Sequence, residues 1–124
     1  MSVTRIAILS GSFFCFLAVA LGAFAAHGLK AELSDYALGI FKTGAEYQFM
    51  HGLGLVLVGI LSAQGYKLRA TMWSFIGGII LFSGSLYGLA LTGLAVFGPI
   101  TPLGGSLFLL GWLLLAVQVY RQQD

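Results

Sequence analysis

Few residues in this chain can do chemistry, and they fall in two short stretches. Glu46, Tyr47, Gln48 and His51 form one; Ser83, Ser85, Tyr87 and Thr92 form the other. A carboxylate and an imidazole could relay a proton or hold a polar ligand, with the hydroxyls and the amide orienting it. On a helix, His51 lies one turn from Tyr47 and two from Thr43, and Ser83 lies one turn from Tyr87, so each group shares a stripe. No nucleophile–base pair or paired carboxylates can be assembled, and no glycine-rich stretch carries the Lys-Ser/Thr of a phosphate loop. His27 and His51 differ by ~12 Å in depth, against metal bonds of ~2 Å, so no metal site and no cofactor are expected. His27 reads instead as a capping side chain at a helix C-terminus. The lone Cys15 has no disulfide partner and reads as a small buried apolar residue.

The elements that position these residues are membrane helices. From Ala70 to Tyr120 the chain runs 51 residues without a formal charge, broken only at Gly98-Pro99-Ile100-Thr101-Pro102. Overall the 124 residues are 59% hydrophobic and 8% charged, far from the roughly 25% charged of soluble domains. A net charge of +2 without a basic run excludes nucleic acid as a partner. With about 20 apolar residues per crossing, the chain reads as an all-α, four-helix integral membrane bundle with spans near 6–26, 43–64, 71–94 and 103–120. It forms one domain, with the lipid bilayer as its first partner. Period-two alternation is absent, which leaves no strand pattern for a barrel. Ala23-Phe24-Ala25 resembles a signal cleavage site, but the apolar run from Ile6 to Ala26 exceeds a signal core and reads as a retained helix.

Arg5, Lys67, Arg69 and Arg121 fall on one side, and Lys30 and Lys42 on the other with Glu32 and Asp35. The positive-inside rule then puts both termini in the cytoplasm of an inner-membrane protein. Tyr66, Trp73 and Tyr120 sit beside the cytoplasmic charges as interface anchors. Ser34 is placed to cap a short exoplasmic interfacial helix that starts at Asp35 and runs into span two. Thr101 is placed to cap span four, with Pro102 in its first turn.

Depth along each span, at ~1.5 Å per residue, puts His51, Ser85 and Tyr87 nearly level, ~3–6 Å outside the midplane. Glu46 and Thr92 come out ~12–14 Å from it. His51 is expected to bond Ser83, Ser85 or Tyr87, and Glu46 to open outward, where it could also pair with Lys42. Two readings follow: a shallow exoplasmic binding site, or hydrogen bonds between helices worth about 0.6–2 kcal/mol each. Small residues set the packing. Gly11, Cys15, Ala18, Gly22 and Ala26 line one face of span one, and Gly84 and Gly88, with Gly77, one face of span three.

Four stretches carry a family resemblance: Gly22-Ala23-Phe24-Ala25-Ala26-His27-Gly28-Leu29; Phe41-Lys42-Thr43-Gly44-Ala45-Glu46-Tyr47-Gln48-Phe49-Met50-His51; Phe82-Ser83-Gly84-Ser85-Leu86-Tyr87 continuing through Ala90-Leu91-Thr92-Gly93; and Ile100-Thr101-Pro102-Leu103-Gly104-Gly105 with Gly111-Trp112. They resemble the small bacterial inner-membrane proteins of domain-of-unknown-function family 423, to which eukaryotic transmembrane protein 256 is distantly similar. The resemblance implies a four-helix membrane protein and carries no established activity. The function expected is a non-enzymatic binding or assembly component of the membrane, with a homo-oligomer or another membrane protein as possible partner. A transporter or proton-conducting unit is the first alternative. The second is a lipid- or quinone-acting protein using His51, Glu46 and Tyr87.

Overall fold

The computed structural model describes residues 1–122, and these fold as four helices without a strand. They are α1 (Val3–His27), α2 (Asp35–Ala63), α3 (Arg69–Thr92) and α4 (Ile100–Arg121). Ser2 caps α1, its hydroxyl accepting from the Arg5 amide at 3.2 Å, and Ser34 caps α2 in the same way through Ala37 at 3.1 Å. The segment expected as an interfacial helix is the first turns of α2, continuous to Ala63 because no proline interrupts it. Gly93 ends α3 in the left-handed conformation (φ 71°), a backbone that glycine adopts without a Cβ clash.

Span four differs from expectation at its start. The helix begins at Ile100, so Thr101 lies inside the first turn and does not cap it. Its hydroxyl bonds the Phe97 carbonyl and, across the bundle, Ser85.

The chain packs as two antiparallel hairpins, α1–α2 and α3–α4, joined where α2 meets α3. Along α1–α2 the backbones nearly touch. A Cβ on Gly11 would lie 2.6 Å from the Gly52 carbonyl oxygen, and one on Gly59 would lie 3.1 Å from that of Thr4. Without a hydrophobic drive between helices in lipid, such close approach supplies the contact. Helices α1, α3 and α4 are each long and apolar enough to cross a membrane. Helix α2, diluted by Glu46, Gln48 and His51, is not among them by composition, yet it runs the length of α1.

Helix α3 carries a π turn over Ile79–Ser83. The extra residue in that turn shifts the phase of everything after it. Gly78, not Gly77, packs on Phe108, and Gly84 faces open space. The turn also brings the Phe82 backbone onto Gly104 of α4, where any side chain would collide with it.

Two apolar clusters bracket the bundle. One holds Leu55, Val58, Leu68, Met72, Phe75 and Phe108; the other holds Ala25, Leu29, Leu38, Phe41 and Ala90. The first lies toward the end that gathers Ser2, Ser62, Lys67 and Arg69 around one cleft. The end of α4 joins that end, because Gln122 bonds both the amide and the carbonyl of Lys67, at 2.8 and 3.2 Å. The start of α1 and the end of α4 therefore share a face with the loop between α2 and α3.

Candidate functional site

Between the two apolar clusters lies a polar layer built from all four helices. On α2, Gln48 is buried and its amide donates to the Phe14 carbonyl of α1 at 2.9 Å. Its oxygen accepts from the Tyr87 hydroxyl of α3 at 2.7 Å, so one side chain ties three helices together. Ser83 donates to the Gly44 carbonyl at 2.7 Å, a second α3–α2 link. Gly44 has no room for a side chain, since a Cβ there would lie 2.9 Å from the Tyr87 ring. Ser85 joins α3 to α4 through Thr101 at 2.6 Å and also donates to the Phe82 carbonyl at 2.9 Å, within the π turn's register shift.

His51 does not bond Ser83, Ser85 or Tyr87. Its Nε2 accepts from the Trp112 indole of α4 at 3.0 Å, and its Nδ1 lies 2.8 Å from the Tyr47 carbonyl. An indole N–H only donates and a carbonyl only accepts, so these two partners select the neutral imidazole with its proton on Nδ1. The ring stacks on Phe108 at 3.6 Å between centroids and meets Phe75 edge-on at 5.3 Å. Equal depth correctly brought α2 and α3 together at this level, but the π turn and the side on which α4 packs decide which side chain meets the imidazole.

Trp112, Phe108 and Thr101 belong to this layer and were not foreseen. Trp112 carried a weaker depth signal: it lies at the middle of span four, ~4.5 Å from the level of His51 by the same depth count.

The remaining candidates separate from the layer. Thr92 is exposed and donates back to the Gly88 carbonyl at 2.6 Å while accepting from the Leu94 amide, closing the end of α3. Tyr47 is part-exposed beside a lateral groove that also touches His51, Phe108 and Trp112. Glu46 is exposed on the other side of α2, in a groove with Lys42, Ala18 and Gly22. Its level differs from expectation. Cys15, the midpoint of α1, approaches the Phe49 carbonyl at 3.6 Å, so Glu46 stands only ~4.5 Å from the middle of α1. The apolar stretch of span two misjudged this, because α2 begins well before that stretch and is levelled by its neighbour.

No solved structure matches this chain. The family model described as "Protein of unknown function (DUF423)" matches residues 21–105, which contain every member of the polar layer except Trp112 and Phe108 on α4 and Phe14 on α1. The chain belongs to this family. Among its relatives, a UPF0382 membrane protein of Haemophilus influenzae is 47% identical over 94% of this chain and 91% of its own length. The UPF0382 membrane protein YwdK of Bacillus subtilis is 40% identical, covering 94% and 98%. A Staphylococcus epidermidis UPF0382 membrane protein is 43% identical, covering 94% and 97%. This is a family of membrane proteins.

Proposed function

We propose that this protein is a non-enzymatic component of the cytoplasmic (inner) membrane, acting by binding or assembling with other membrane constituents, with all four helices crossing and both termini inside. One observation carries the reading. Gln48, His51, Ser83, Ser85 and Tyr87 are each engaged in a bond to another helix, and an apolar cluster closes the layer at either end. A proton or solute path needs polar groups that continue past such a plug, and a catalytic site needs a group free to react. A layer of this kind serves to fix the rotation and level of four helices that lipid alone would let slide. The lateral faces are then the surfaces left for partners. For α2, the antiparallel contact with α1 supports a crossing, and Arg5, Lys67, Arg69 and Arg121 at the terminal end support an inside orientation under the positive-inside rule.

Reconstitution into liposomes tests the reading. Proton and cation flux should not exceed that of empty vesicles. Flux above background that disappears in His51→Gln would replace this reading with a conducting one. Topology is checked in intact cells carrying Cys15→Ala: Ala31→Cys should react with an impermeant thiol reagent and Lys67→Cys should not. The reverse pattern inverts the orientation.

A further inference from the structure

One charged group lies where a bilayer offers it no partner. Glu46 is exposed on the α1–α2 face, ~4.5 Å from the mid-level of α1. A hydrocarbon core about 30 Å thick keeps lipid head groups some 15 Å from its centre. Acyl chains carry no donor, and carboxylates at this depth are found facing protein or a wet cavity. Lys42 lines the same groove one turn nearer the surface, and no ion pair joins the two among the described residues.

We propose that this face is where two copies of the chain pair, about a twofold axis along the membrane normal, with Lys42 of each copy bonding Glu46 of the other. The proposal rests on the assembly reading above and names its partner. Charge complementarity selects a second copy. A twofold axis along the normal keeps both copies at one depth and presents each cation to the other's carboxylate, so two reciprocal pairs satisfy all four charges. The reach fits, since four residues of helix rise ~6 Å, about the length of an extended lysine side chain.

The shape fits as well. The groove encloses about 620 Å³, with Ala18, Gly22 and Ala45 among its lining. A Cβ on Gly22 would meet nothing within 4 Å. Phe49, Met50 and Leu53 stand beside it, 39%, 49% and 47% exposed, as a ridge able to enter the same groove on the other copy. An acyl chain could fill the apolar part, but it would supply Glu46 no donor beyond its own chain's Lys42.

The test is a charge exchange read as the monomer–dimer equilibrium of the full chain in nanodiscs and by native mass spectrometry in mild detergent. Wild type should be dimeric. Lys42→Glu and Glu46→Lys should each weaken dimerisation by about tenfold or more, because each sets like charges together. The double exchange should return to within about threefold of wild type, because the reciprocal pair is restored. Gly22→Leu should also lose the dimer while keeping the helix content and melting behaviour of the monomer. A monomeric wild type, or a double exchange no better than the singles, overturns the proposal. If the chain is monomeric but retains a phospholipid or another membrane protein that Gly22→Leu releases, the dimer is wrong and the binding reading stands. If a retained molecule is converted to product, the non-enzymatic reading falls instead.

Discussion

The two halves of the α1–α2 contact are made of the same residue types and behave in opposite ways. In the half toward the termini, Gly11, Gly52 and Gly59 press backbone against backbone. A Cβ on Gly52 would lie 2.7 Å from the Cys15 sulfur, and one on Gly59 would lie 2.5 Å from Ile8. In the other half, Gly22 continues the same stripe of α1 and touches nothing, while Ala25, one residue from the expected Ala26, is the fully buried position. Small residues thus permit close approach without requiring it. Whether the permission is used depends on where the partner helix runs.

The contrast breaks most visibly at Gly11. Gly11→Leu should cost about 3 kcal/mol or more in detergent, because the obstacle is a backbone carbonyl that cannot rotate away. A thermal shift no larger than that of Leu109→Ala, at a 75% exposed position, would mean the tight half does not hold the hairpin together.

The polar layer comes next in size. Tyr87→Phe removes the hydroxyl that bonds Gln48 and leaves a buried amide oxygen unpaired, so about 1–2 kcal/mol of stability should be lost. Gln48→Leu in the same background should then cost little more through that bond, a coupling a double-mutant cycle would read directly.

Trp112→Phe should cost about 1 kcal/mol, since it leaves His51 Nε2 without its donor while keeping the aromatic contact with Phe75. His51→Gln should cost a similar amount or more, because the stack on Phe108 goes too. If neither changes the melting temperature, the layer does not lock α4 to α2.

The smallest effect belongs to Gly22→Leu on the fold of a single chain. It should change monomer stability by less than about 0.5 kcal/mol, as expected for a substitution with no neighbour to displace. A large destabilisation would show that the open half closes in the membrane.

Much of this was legible without coordinates, for reasons that can be named residue by residue. A 51-residue stretch with no charge, interrupted by two prolines within four residues, has few folded solutions other than two adjoining membrane helices. Ser34 followed by Asp35 marks the start of α2, because capping depends on atoms within one turn. Tyr87 and Gln48 each required a partner at depth, since an unpaired polar group in hydrocarbon is costly. That argument identified the participants. It did not identify the bonds.

Local chemistry and hydropathy along the chain therefore determined the number of helices, their order, the capped start of α2 and the list of polar side chains that must be satisfied. Rotation and level were decided only in three dimensions. A π turn at Ile79–Ser83 leaves no periodic signature, yet it re-phases the second half of α3 and carries Ser83 onto Gly44. The antiparallel contact with α1 sets Glu46 nearer mid-bundle than its own apolar stretch suggests, and the side on which α4 docks gives His51 a tryptophan in place of a serine or tyrosine. Each of these depends on backbone surfaces meeting at contact distance. Such fits are properties of pairs of helices, so neither sequence segment contains them alone.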